Sequence, residues 1–110
     1  MTPLRGEVWD VQLPPPVGPR PAVVLTTNAL ITRLGAVTVA EVTGTAGPAS
    51  THVEVPSDVG LTGRDRSWVN VTGLHTLPRG ELRRCRGRLA PVELDRVGAA
   101  VRLYLDIEPD

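Results

Sequence analysis

The chain has little that could hold a metal or form a disulfide: one cysteine and two histidines in 110 residues. A single cysteine, Cys85, cannot form an internal disulfide, which favours a reducing compartment, and we expect the cytoplasm. His52 and His75 stand apart from other potential ligands at metal-binding spacing, so the sequence predicts no metal site and no cofactor. No apolar run approaches the length of a membrane span, and no membrane partner is expected.

Lysine and phenylalanine are absent, and aromatic residues amount to 3%. The core must therefore be built from valine, leucine and alanine. Eleven glycines and eleven prolines interrupt the chain, which favours short strands over long helices. With 41% hydrophobic and 22% charged residues, the composition predicts one globular domain over residues 1–110.

The net charge is zero, which argues against a protein that coats nucleic acid indiscriminately. The distribution is uneven, because residues 64–88 hold seven arginines against Asp65 and Glu81. Arginine is the better bidentate ligand for phosphate. A GC-rich genome also explains why every basic residue is arginine and none is lysine. We give this genomic explanation more weight than phosphate binding.

Short apolar or alternating runs predict six strands, over residues 6–13, 21–26, 36–42, 51–55, 67–74 and 83–89. Asn28 is a good helix N-cap, followed by about one turn of helix. Apolar residues at helical spacing after Pro91 predict an amphipathic C-terminal helix, about 91–106, with the stripe Leu94, Val97, Ala100, Val101, Tyr104 and Leu105. These elements predict an α+β, mostly β fold: a strongly curved sheet or small SH3-like β-barrel capped by the helix.

Two residues suit phosphate chemistry at the ends of predicted strands. A proline-rich loop places Arg20 at the mouth of the second strand, and Thr43 ends the third. When the RNA 2′-hydroxyl is the nucleophile, phosphodiester cleavage needs charge stabilisation rather than a metal, and arginine and threonine both donate to phosphate oxygens. From spacing alone, the preferred interpretation is that Arg20 is a solvated loop residue and Thr43 a turn residue. Alternation over 83–89 places Arg84, Arg86 and Arg88 on one strand face, which is more often solvated than functional.

Five segments in order resemble the MazF/PemK family of RNA-cleaving toxins. They are RGEVW, RPAVVLT, VTVAEVT, LHTLPR and LAPVEL, beginning at residues 5, 20, 37, 74 and 89. None is specific alone, but together they span nearly the whole chain.

The resemblance implies the small barrel shared with CcdB-type gyrase poisons, and a metal-independent, sequence-selective endoribonuclease that cuts single-stranded RNA and arrests growth. Arg20 and Thr43 take the positions of the family's catalytic arginine and threonine. It also implies a homodimer and a cognate antitoxin as partner. Residues for RNA binding would be Gln12, Val17, Thr45, His75 and Arg79.

The chain departs from the family pattern near the predicted fifth strand. Many members carry an acidic residue and a glutamine where Thr72 and Gly73 stand, so the proton-transfer groups are not assigned. His75 is a candidate for a titratable group or for stacking on a base. The alternative functions are a CcdB-like poison without nuclease activity, or an inactive member that binds antitoxin or RNA.

Overall fold

The computed structural model describes residues 2–108. All six predicted strands and both predicted helices are present, as β1 (Glu7–Gln12), β2 (Pro19–Val24), α1 (Asn28–Ile31), β3 (Ala36–Thr43), β4 (His52–Val55), β5 (Ser67–Pro78), a 3-10 helix (Arg79–Glu81), β6 (Leu82–Arg88) and α2 (Pro91–Leu105). Within the described residues, no helix has both the length and the apolar character needed to cross a membrane.

The strands form one antiparallel sheet in the order β4-β5-β3-β2-β1-β6. The α+β class is confirmed, but the sheet is not a closed barrel, because β4 and β6 are its two edges among the described strands. The loop over 56–66 lies against β6 instead of a pairing strand. Val59 of this loop is buried against Gly87, and Arg86 donates to the carbonyl of Gly60.

Alternate residues of a strand point to opposite faces of the sheet, and each face has its own apolar cluster. The first core joins the sheet to α2, and its members include Val8, Val23, Ala40, Val42, Val69, Val71, Val97 and Ala100. The second core lies on the other face and consists of Trp9, Val11, Leu13, Ala22, Val24, Ile31, Val37, Val39, Leu77 and Leu82. The central strands are therefore buried on both faces, as the unbroken apolar run after Arg20 predicts.

The C-terminal helix begins where predicted but is buried over less of its length. Ala90 has no capping side chain, yet its N–H donates to Glu93 Oε1 at 2.7 Å, which compensates for the poor N-cap. Of the predicted stripe, Val97 and Ala100 are buried. The prediction is wrong for Tyr104 and Leu105, which are each 47% exposed, because the covered part of the helix does not extend to its last turn.

Two predicted boundaries near the site are wrong. β2 begins at Pro19, so Arg20 lies within a strand rather than in front of it. Pro19 and Pro21 are tolerated because β2 pairs with β3 only from Ala22 onward. At the two prolines no N–H group is therefore needed for a hydrogen bond to β3. β5 continues past 74 to Pro78, and Gly73 within it marks a close approach of the Glu41 side chain.

The N-terminal cap of α1 is also corrected. Thr27 holds the cap position, and the side chain of Asn28 accepts the N–H of Arg5 at 2.7 Å instead. Asn28 thus joins the start of the chain to the β2–α1 connection.

Candidate active site

Polar side chains interrupt the second core at one end of the sheet. Ala22 of β2 lies opposite Glu41 of β3, and residues two apart on a strand share a face. Arg20 and Glu41 therefore project on the same side as Ala22. Val39 pairs with His75 of β5, so His75 joins this face as well. Three neighbouring strands thus bring an arginine, a carboxylate and an imidazole together, on the side of the sheet away from α2.

Arg20 is held loosely for a half-buried arginine. Its side chain is 28% exposed, and Nη1 lies 3.9 Å from Glu41 Oε1, too far for a hydrogen bond. Its Nε is buried and has no hydrogen-bond partner among the described residues. An arginine with unused donors on a rigid central strand is suited to bind an anion, since the guanidinium presents two parallel N–H groups to phosphate or carboxylate oxygens.

Glu41 lies between Arg20 and His75 and contacts both. His75 Nε2 donates to Glu41 Oε2 at 2.9 Å, and the two side chains are 24% and 15% exposed. The carboxylate has room because of Gly73, where a Cβ atom would lie 2.5 Å from Glu41 Cγ. Glu41 was not among the residues predicted from the sequence. The available signal was a charged residue between the buried Ala40 and Val42 in a strand that is otherwise apolar or threonine.

A bulge in β5 creates the space for Glu41. From Ala40 to Val42 the β3 strand advances by two residues, while its β5 partners move by five, from Leu74 to Val69. Among the additional β5 residues, Asn70 Oδ1 accepts both the N–H and the hydroxyl of Thr72. Such a bulge frees a side chain on the facing strand to leave the regular ladder.

Thr43 is the last residue of β3. Ala22 lies opposite Glu41 at the last β2–β3 pair, so Arg20 and Thr43 each lie two residues beyond that pair, where the two strands are no longer paired. The Oγ1 atom of Thr43 accepts the N–H of Thr45 at 3.2 Å. Because that bond uses a lone pair of Oγ1, the hydroxyl proton remains free to be donated to a ligand.

The other residues predicted to bind RNA fall at two ends of the sheet. Gln12 pairs with Pro19 beside Arg20, and Val17 packs on the second core from the β1–β2 turn. Thr45 follows Thr43 in an exposed loop. Gln12 belongs to the strand next to Arg20 but points to the opposite face, because Arg20 pairs with Val11. Arg79 is exposed and lies far from Thr43. It follows Pro78, which pairs with Ala36 at the opposite end of β3.

A second group of arginines borders Arg20 across a cleft of about 390 Å³. Arg84 Nε and Arg86 Nη1 each lie 3.3 Å from a carboxylate oxygen of Asp10. Arg86 is only 12% exposed and also holds the loop over 56–66. The predicted face of three arginines is broken by register irregularities between β1 and β6, and Arg88 pairs with Glu7 away from the cleft.

The remaining chemistry of the described residues is limited. Between residues 2 and 108, no group of three or more His, Cys, Asp or Glu side chains is arranged to hold a metal ion. Cys85 is half-buried, with Sγ 3.6 Å from the carbonyl oxygen of Gly87. The polar cluster Arg20, Glu41, Thr43 and His75 is therefore the strongest candidate site.

Comparison with known proteins was made on sequence and on structure. The family described as PemK-like, MazF-like toxin of type II toxin-antitoxin system matches residues 4–105. A protein of Mycobacterium tuberculosis named probable endoribonuclease MazF2 is 35% identical over 105 residues, covering 89% of this chain and 93% of its own length.

Two solved structures share the fold over nearly the full chain. An endoribonuclease from Mycobacterial species has a TM-score of 0.82 at 25% identity, with 100% of this chain and 97% of that chain covered. The Mycobacterium tuberculosis toxin MazF-mt6 has a TM-score of 0.81 at 27% identity, with 94% and 99% covered.

Proposed function

The chain belongs to the PemK-like, MazF-like toxins of type II toxin–antitoxin systems, and from that premise we propose that it is an endoribonuclease. It cleaves single-stranded RNA in a sequence-selective manner by attack of the 2′-hydroxyl on the adjacent phosphate. The observation that carries this proposal is the loosely held guanidinium of Arg20, which shares a face of the sheet with Glu41 and His75. Cleavage of cellular RNA in this way inhibits translation and arrests growth.

Arg20 and Thr43 stabilise the transition state in this proposal. Attack of the 2′-oxygen places additional negative charge on the non-bridging phosphate oxygens, and donors already fixed in position stabilise that charge without reorganisation. Arg20 supplies a charge and two N–H donors, and its 3.9 Å contact with Glu41 is weak enough to be exchanged for a phosphate. Thr43 supplies a neutral donor, oriented by the N–H of Thr45.

The RNA strand is proposed to enter along the β1–β2 turn and the β3–β4 loop. Gln12 ends β1 next to the first segment, Val17 lies in the β1–β2 turn and Thr45 in the β3–β4 loop, and the half-buried ring of His75 adds a group that can contact a base. Arg79 would bind a more distant phosphate, because it lies at the other end of β3.

The proposed protein partners are a second copy of the chain and a cognate antitoxin. Support comes from the exposed apolar residues at the end of α2, where Leu103 is 66% and Ile107 52% exposed, since such patches mark protein interfaces. Light scattering of the purified protein checks the dimer, and a monomeric mass at micromolar concentration contradicts it.

The test is cleavage of a long single-stranded RNA by purified protein in the presence of a chelator. Wild-type protein is expected to cut at defined sequences, while Arg20→Ala loses about 10²–10³-fold in rate and Thr43→Ala about tenfold, the value of one neutral hydrogen bond. Arg66→Ala is the control, because Arg66 is an exposed arginine outside the site. Intact RNA with wild-type protein refutes the function, and equal cleavage by all variants refutes the assigned residues.

A further inference from the structure

Glu41 has a position that the proposed transition-state contacts do not explain. Its two carboxylate oxygens point to different partners: Oε2 accepts His75 Nε2 at 2.9 Å, and Oε1 lies 3.9 Å from Arg20 Nη1. A carboxylate that served only to neutralise Arg20 would approach it closely and in bidentate fashion. The closer partner here is the imidazole.

The surroundings of Glu41 keep this carboxylate in place. Its side chain is 15% exposed, and its Cγ and Cδ atoms occupy the space that a Cβ atom at Gly73 would fill. Partial burial makes the hydrogen bond to His75 stronger than it would be in water. Arg20 from β2 and Glu41 from β3 are the charged groups that face His75 in the described residues.

The hydrogen bond decides which nitrogen of His75 carries a proton. An ionised carboxylate only accepts, so Nε2 must carry the hydrogen. In the neutral ring the lone pair is then on Nδ1, which makes no hydrogen bond within residues 2–108. A carboxylate that fixes the tautomer of an imidazole leaves the other ring nitrogen free to act as a general base.

We propose that Glu41 is a positioning residue that holds His75 ready to accept the proton of the RNA 2′-hydroxyl at Nδ1. This inference rests on the proposed function. As the proton moves to Nδ1, the bond between the 2′-oxygen and phosphorus forms and the bond from phosphorus to the 5′-oxygen breaks. The 5′-oxygen takes a proton from water, and the resulting hydroxide accepts the proton held by His75. The products are a 2′,3′-cyclic phosphate and a 5′-hydroxyl end.

The test compares kcat and KM between wild-type protein and variants. The substrate is a short single-stranded RNA that contains one cleavage sequence mapped with wild-type protein. His75→Ala is expected to lower kcat about 10²–10⁴-fold, and added imidazole restores part of it. Glu41→Gln keeps the shape and a hydrogen-bonding group, and is expected to lower kcat about 10- to 100-fold, the effect of removing a charge-assisted hydrogen bond. KM changes little in either variant, because the effect lies on proton transfer.

The pH–rate profile separates this role from a structural one. In wild-type protein the acidic limb of kcat reports protonation of the base, and it is expected to disappear in His75→Ala. His52→Gln and Glu54→Gln are matched controls, since they remove the same groups from β4 and are expected to retain both the rate and the profile.

Three results overturn the inference. They are wild-type kcat in Glu41→Gln, a wild-type acidic limb in His75→Ala, and failure of imidazole to restore His75→Ala while its circular dichroism and Tm match those of the wild type. All three results require a wild-type protein that cleaves RNA. If the proposed function is wrong, the wild-type protein itself leaves RNA intact, so the two failures can be told apart.

Discussion

Two of the arginine–glutamate pairs within residues 2–108 have opposite geometry. Arg66 and Glu54, beside the β4 edge, are joined by two hydrogen bonds of 2.8 and 2.9 Å, and the guanidinium lies 5.1 Å from the ring of Trp68. Arg20 and Glu41, on the central strands β2 and β3, approach only to 3.9 Å. The first pair is 64% and 48% exposed, and the second is mostly buried.

The two pairs differ in whether the hydrogen-bond donors of the arginine are used: those of Arg66 bind Glu54, whereas Arg20 makes no close contact with Glu41. Water competes for the exposed pair, so its short bonds contribute little to stability. The buried pair has lost most of its water, and Arg20 has not replaced it with close protein contacts. Unused donors in a partly dry environment are what an anionic substrate needs, because its phosphate can replace the missing contacts.

The largest effect is expected from replacing each arginine by lysine. Arg20→Lys retains the charge but loses the two parallel donors, so we expect cleavage of single-stranded RNA to fall about 10²-fold. Arg66→Lys should leave the rate unchanged, because its partner is a surface carboxylate. The measurement is the initial rate of cleavage with metal chelated. Equal losses in the two variants would show that the difference in geometry has no functional meaning.

A smaller effect is expected from disturbing Glu41 without changing its chemistry. A Cβ atom at residue 73 would lie 2.5 Å from Glu41 Cγ and 2.6 Å from Cδ, so Gly73→Ala must push the carboxylate away from His75. We expect kcat to fall about tenfold, the effect of weakening one hydrogen bond to a charged group. Gly80→Ala is the matched control, because nothing lies within 4 Å of its added Cβ. A Gly73→Ala protein with wild-type kcat would mean that the position of Glu41 is not important.

The order of elements followed from the sequence because local patterns determine it. Alternating and unbroken apolar runs predicted six strands and the helix from Pro91, and the resemblance predicted the family. Arg20 and Thr43 were singled out from their places at strand ends. Their catalytic roles remain predictions until variants are assayed.

Glu41 and the open sheet were missed because each depends on contacts between distant segments. The β5 bulge and the missing Cβ of Gly73 together create the space for Glu41, and strand periodicity contains no information on either. Closure of the barrel depends on whether β4 and β6 pair, and the loop over 56–66 packs against β6 instead. Exposure of Tyr104 likewise depends on where the sheet ends beneath α2, which helical spacing does not reveal.

The smallest effect is expected from the exposed pair, and it concerns stability rather than catalysis. The hydrogen bond from Arg66 lowers the pKa of Glu54 from its ordinary value of 4.5. Because the pKa of Glu54 is lower in the folded protein, the ion pair contributes fully to the free energy of unfolding above pH 4.5. This contribution is lost as the pH falls through the lowered pKa. Glu54→Gln should therefore have a slightly lower Tm at pH 7, a difference that closes at strongly acidic pH, with cleavage unchanged. A Tm difference independent of pH would assign the effect to packing rather than charge.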